Sequence, residues 1–148
     1  MLTKHVLSVF AGVFLFLHAA AYAATLITPE EAALPAAPGE SLTRGISRGP
    51  GVKLISPNAD LGPVKAPFEL KVAFEPRGGN AIDPASVKVM YLKSPFVDLT
   101  PRLQQSITET GIVFPNADVP VGEHDLKITV LDKDGRETNS VVHLVVVQ

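Results

Sequence analysis

The stretch that most constrains this chain runs from Val119 to Gln148. His124, Leu126, Ile128 and Val130 alternate there with Asp125, Lys127 and Thr129, the period-two pattern of a strand with one buried face. A second apolar run, Val141 to Val147, follows Asp132-Lys133-Asp134-Gly135-Arg136, so the pair reads as a β-hairpin. A loop of Lys133, Asp134 and Gly135, with Gly135 in the left-handed position of a bulged turn, sets Asp132 opposite Arg136. Leu126 then faces Val142, Ile128 faces Ser140, His124 faces Leu144 and Val130 faces Thr138. A loop longer by one residue would set Val130 against Glu137 and Ile128 against Asn139. Because a one-residue slip moves a whole side-chain set to the other face, burial of the apolar partners selects the shorter loop.

The 148 residues, 46% of them hydrophobic, suffice for one domain with its own core. Met1 to Ala23 has the form of a cleavable signal peptide: Lys4 supplies the positive start, Val6 to Leu17 the apolar stretch, and Ala21-Tyr22-Ala23 the small-x-small site, with cleavage after Ala23. The apolar stretch is short for a bilayer span, and no later segment resembles one. The expectation is therefore an exported protein, periplasmic or extracellular, without stable membrane insertion after cleavage, and monomeric. The chain has no Cys, which excludes disulfides, a thiol nucleophile, a cysteine metal site and a lipid-modified N-terminal cysteine. With 13 basic residues against 15 acidic ones and no basic patch interleaved with aromatics, nucleic acid is not an expected partner.

Residues 24–50 contain Pro29, Pro35, Pro38 and Pro50 among alanines, with too few apolar residues at any one period to build a buried face. They are expected to form a disordered Pro/Ala-rich linker, with at most a brief helical turn over Glu30 to Leu34. The folded domain is expected over 51–148. Val52 to Ser56 reads as its first strand, closed by the turn Pro57-Asn58-Ala59-Asp60. Phe68, Leu70, Val72 and Phe74 then alternate with Glu69, Lys71, Ala73 and Glu75 in the clearest half-buried strand. Ile82-Asp83-Pro84-Ala85 reads as a turn feeding a strand from Val87 to Lys93, with Val87, Val89 and Tyr91 inward and Met90 and Leu92 outward. Thr100-Pro101 resembles a helix start, with Thr100 as cap and Gly111 as terminator; an edge strand from Leu103 to Ile107 is the alternative. Ile112 to Phe114 is a short strand closed by a second Pro-Asn-Ala-Asp, Pro115 to Asp118. The two copies of that tetrapeptide suggest similar turns entering a central strand of each sheet.

About seven short strands between Pro/Gly/Asn/Asp turns are the pattern of an antiparallel immunoglobulin-like β-sandwich. The closing segment P-V-G-E-H-D-L-K-I-T-V-L-D-K-D-G-R resembles bacterial immunoglobulin-like, fibronectin type III-like and cadherin-like domains, which tend to end P-x-G-x-Y-x-L-x-V-x-A-x-D-x-x-G-N. His124 stands where those domains usually carry Tyr. The resemblance implies an adhesive, spacer or binding module without an active site. The function expected is a non-enzymatic binding or structural module that recognises a protein or cell-surface polymer through its loops. The alternative is a small-ligand or carbohydrate-binding accessory domain, disfavoured by the absence of Trp.

Four sites merit attention. Gly45-Ile46-Ser47-Arg48-Gly49 matches the G-x-S-x-G nucleophile elbow, but without the preceding strand and following helix that present such a serine. Asp132-Lys133-Asp134-Gly135 hints at calcium, yet Arg136 and Glu137 occupy positions five and six of what would be the loop, so a hairpin turn is expected. His124 and His143 would chelate a metal only in the longer-loop register; in the shorter one His124 faces the core and His143 faces solvent opposite Asp125, and no metal or other cofactor is expected. Phe96 and Val97 lie in a loop flanked by Pro95 and Asp98, as a contact patch or, the favoured reading, with Phe96 capping one end of the core.

Overall fold

The computed structural model describes residues 22–38 and 47–148; the proposed signal segment, apart from Tyr22 and Ala23, lies outside them, as do Gly45 and Ile46. The described residues form an all-β fold of two sheets. Short strand β1 (Ala24–Thr25) and helical turn α1 (Pro29–Ala32) precede β2 (Gly51–Ser56), β3 (Val64–Lys65), β4 (Phe68–Glu75), β5 (Ile82–Tyr91) and β6 (Val97–Asp98). After α2 (Thr100–Leu103) come β7 (Ile107–Thr108), β8 (Gly111–Asp118), β9 (Gly122–Asp132) and β10 (Glu137–Val147). One sheet has the order β1-β8-β4-β2, with β7 also on β8; the other runs β3-β10-β9-β5-β6. About seven antiparallel strands were expected. The additional strands are two-residue pieces at the sheet margins, and two of them pair in parallel, β1 with β8 and β3 with β10.

The hairpin β9–β10 has the register that core burial selects. Leu126 pairs with Val142, Ile128 with Ser140, His124 with Leu144 and Val130 with Thr138. Gly135 takes φ 78°, a left-handed backbone that glycine adopts without steric cost. The Asp132 carboxylate accepts the N–H groups of Asp134 at 3.0 Å and Arg136 at 2.9 Å, and the Arg136 Nε–H at 2.9 Å. Burial acts to raise this carboxyl, but those donors and the guanidinium outweigh it and hold it below the usual carboxylate range.

The alternating residues of β4, Phe68, Leu70, Val72 and Phe74, are buried together with Ile112 and Phe114 of β8, Leu126, Ile128 and Val130 of β9, and Val87, Val89 and Tyr91 of β5. Both sheets therefore contribute to one core. The expected turn at Asp83 to Ala85 is an insertion within β5: pairing with β9 passes from Asp83↔Leu131 to Lys88↔Thr129, and the Asp83 carboxylate accepts the Ala85 N–H at 3.0 Å.

Three expectations are corrected. Residues 24–37 are not disordered linker: Leu26 and Ile27 are buried in the core at 0% and 1% exposure, and α1 carries a capping box between Thr28 and Glu31. Arg102 Nη1–H donates to Leu26 O at 2.7 Å, and the guanidinium grips both oxygens of Glu31. The burial of this arm comes from two adjacent apolar residues, which no period could reveal. Second, Thr100 does not cap α2. Asp98 accepts the Thr100 N–H at 2.9 Å, while the Thr100 hydroxyl accepts the Val89 N–H at 2.9 Å; a single 3-10 turn and strand β7 follow, so both the helix and a two-residue edge strand are present. Third, the two Pro-Asn-Ala-Asp copies differ. The first leads into a 3-10 turn capped by Asn58; the second continues β8, with Asn116 at φ 54° where one extra residue opposes β4 between Phe68↔Ala117 and Leu70↔Phe114. That is a β-bulge, and Asn is one of the few residues that tolerates it.

Candidate functional site

On the outer face of the second sheet, side chains that alternate away from the core form a groove. Lys88, Met90 and Leu92 come from β5 and its continuation, Lys127 and Thr129 from β9, and Glu137 and Asn139 from β10; Phe96 rises from the β5–β6 connection, and the volume enclosed is about 280 Å³. The register produces this grouping, because Lys88 lies opposite Thr129, Met90 opposite Lys127, and Thr129 opposite Asn139. Polar groups on the floor are tied together. The Thr129 hydroxyl donates to Asn139 Oδ1 at 2.6 Å, and Asn139 Nδ2 donates to Glu137 Oε1 at 2.5 Å.

The structure divides the expected contact patch. Val97 belongs to β6, opposite Tyr91, and packs partly against the core. Phe96 is 51% exposed, so it does not cap the core as favoured from sequence. The reason is that Leu99 and Leu103 are fully buried nearby in sequence, and the turn into β6 directs Phe96 over Met90 and Leu92 instead. The remaining groove residues were missed. Their outward alternation was legible strand by strand; their adjacency required the pairing.

A larger depression of about 400 Å³ lies beside Pro84, Val87, Asp98, Thr100 and Gln104. Two of its polar atoms, Asp98 Oδ1 and the Thr100 hydroxyl oxygen, already accept backbone N–H groups.

The serine of the G-x-S-x-G match is a structural tie. Its hydroxyl donates to Glu137 O at 2.9 Å, shares a 2.7 Å contact with the Thr138 hydroxyl, and accepts the Gly49 N–H at 3.1 Å. Thr138 in turn donates to Pro50 O at 2.7 Å. Gly49 is needed for closeness: a Cβ there would lie 2.6 Å from Thr138 Oγ1 and 2.7 Å from Glu137 O. Among the described residues, the Ser47 hydroxyl is hydrogen-bonded to no side chain that could take its proton.

The two histidines occupy opposite faces of the hairpin. His143 Nδ1 lies 2.6 Å from Asp125 Oδ1, with both side chains about half exposed. His124 is 3% exposed and lies between two partners, Tyr91 Oη at 2.7 Å from Nδ1 and Pro120 O at 2.7 Å from Nε2. A carbonyl only accepts, so Nε2 carries the hydrogen and Nδ1 accepts the Tyr91 O–H. Burial, with the negative Asp125 and Glu31 in support, pushes the Tyr91 phenol up to about 12, which keeps it a donor. Among the described residues, no group of three or more His, Asp or Glu is placed to hold a metal ion.

Comparisons with protein-family models, curated proteins and solved structures find no match to this chain.

Proposed function

We propose that the chain is an exported, non-enzymatic immunoglobulin-like module that recognises a protein or surface polymer through the Phe96 loop and the groove beside it. The observation that carries this reading is Phe96 itself, a half-exposed aromatic beside Met90 and Leu92 on a sheet face flanked by lysines. Interface anchors have this character, an apolar ring with a polar surround on a rigid scaffold. The groove is lined by side chains of three neighbouring strands on one sheet face, a shape that suits a partner laid across the surface. Ser47, hydrogen-bonded to a strand carbonyl, supports the non-enzymatic half of the reading.

Two features support the fold and export. His124 bonds a backbone carbonyl four residues upstream, Pro120 O, as the corner Tyr does in immunoglobulin-like domains. Strand β1 begins at Ala24 while Tyr22 and Ala23 are exposed, so cleavage after Ala23 would leave every described strand and helix intact. The test is photo-crosslinking in the native host from position 96, with position 61, where Leu61 is 83% exposed, as the control surface. A discrete adduct from position 96 and none from 61 is expected. Equal labelling from both positions, or substrate turnover abolished by Ser47→Ala, would overturn the reading.

A further inference from the structure

We propose that the buried chain Tyr91–His124–Pro120 is a proton-operated latch on the N-terminal arm, such that protonation of His124 releases residues 24–37, short strand β1 included, while the other strands of the two sheets remain folded. The geometry makes the imidazole intolerant of a second proton. Both ring nitrogens are engaged, Nε2–H with Pro120 O and Nδ1 with the Tyr91 O–H. A proton on Nδ1 turns that atom into a donor facing another donor. The phenol oxygen must then accept from Nδ1–H and turn its own hydrogen away from the only partner it has among the described residues, inside a core where Tyr91 is 0% exposed, and a buried O–H left without an acceptor is costly.

The arm is held at the same place. Lys93 lies 5.3 Å above the centroid of the Tyr91 ring, and its Nζ donates to Ala32 O at 3.0 Å. Ala36 bridges Lys93, the Ala37 N–H donates to Leu92 O at 3.2 Å, and the Ser94 N–H donates to Pro35 O at 2.8 Å. The three residues that follow Tyr91 thus carry the arm from 32 to 37. A positive imidazole pushes against the ammonium that ties Ala32.

The charged and titratable groups around His124 are Tyr91 of β5, Lys93 beyond it, Asp125 of β9 and His143 of β10. Burial is the largest influence and lowers the His124 pKa from its ordinary 6.5; the Pro120 carbonyl and Asp125 oppose this, while Lys93 and His143 reinforce it. With the folded value below the ordinary one, and with release of the arm re-admitting water to the Tyr91–His124 pair as the latch requires, the released state binds more protons. The hold on the arm is complete above about pH 6.5 and weakens as pH falls from there toward the folded value, by up to about tenfold in the closing equilibrium per pH unit.

The experiment is NMR on the purified protein between pH 7.5 and 5, following the His124 ring nitrogens together with hydrogen-exchange protection of the arm amides Leu26 and Ala37 and of the hairpin amides Ile128 and Val130. The expected result is the Nε2–H tautomer at neutral pH, followed by a fall in arm protection on acidification that the hairpin does not share. His124→Gln, which can supply a donor and an acceptor but does not titrate, should abolish the pH dependence, and His143→Gln should preserve it. Lys93→Met should lower arm protection at every pH and flatten its pH dependence while the His124 titration persists. Should His124→Gln fail to fold, the wild-type titration decides alone. Arm and hairpin losing protection together, or an arm whose protection is level across the titration of His124, overturns the latch.

Discussion

Burial decides what each histidine contributes. His124→Ala opens a cavity and strands the Tyr91 hydroxyl and the Pro120 carbonyl, so a loss of about 2–4 kcal/mol is expected. His143→Ala removes only a half-exposed pair with Asp125, and pairs of that kind contribute less than about 1 kcal/mol. Urea denaturation of the two variants checks the ordering, and comparable losses would mean that the hairpin register is wrong. Zinc or nickel added to the wild type should leave Tm unchanged, because the two rings face opposite sides of the hairpin. Gly111 is a sharper case. Its φ is 153°, and a Cβ there would sit 2.0 Å from Val72 O on the adjacent strand. Gly111→Ala is therefore expected to cost several kcal/mol or to prevent folding, read as loss of soluble protein or a Tm lowered by many degrees.

The N-terminal arm tests how an element with little secondary structure of its own is held. Its two buried residues make most of its hydrophobic contribution, so Leu26→Ala should cost about 2–4 kcal/mol although it lies before the domain that the sequence delimits. One part of its polar hold is Arg102 on Glu31. The Arg102 guanidinium hydrogen bonds, against some burial, hold the Glu31 carboxyl at about 2, down from 4.5. A depressed carboxylate gives stability that is present above its unfolded value and lost as pH falls through its folded one. The pair should therefore support the arm above about pH 4.5 and fail progressively toward pH 2. Solvent screens it, since the Arg102 side chain is 34% exposed, and a contribution of about 1 kcal/mol is expected. Glu31→Gln should flatten the acid limb of Tm against pH in that window and leave the His124 response above it intact. The hairpin turn behaves differently: Asp132 is tied to its own loop by Asp134 and Arg136, a local closure consistent with the register of the strands.

At the scale of the whole molecule, the two sheets enclose one core whose contacts are mostly distant in sequence, and the sheet that carries the Phe96 groove is the one built around the hairpin. Phe96→Ala removes a ring that is half in water, so stability should change by less than about 1 kcal/mol while crosslinking to the partner from a neighbouring groove position is lost. Intact mass of protein recovered from the native host should match a chain beginning at Ala24. A mass corresponding to all 148 residues would speak for a retained anchor. The alternation of β4 and β9 was legible because a strand with one wet face repeats every second residue, β10 was legible as an apolar run, and the hairpin register followed because a turn and a two-residue period leave few ways to bury the apolar side. The place of Phe96, the tie of Ser47 to Thr138, the bulge at Asn116 and the docking of Leu26 and Ile27 were not legible in this way. Each depends on a neighbour tens of residues away, or on which strand lies alongside, and local patterning carries no record of that. The sequence determined the strands and the central hairpin; only tertiary structure, through long-range pairing and burial, decided that residues resembling a linker belong to the core and that an aromatic expected to cap it stands over the groove.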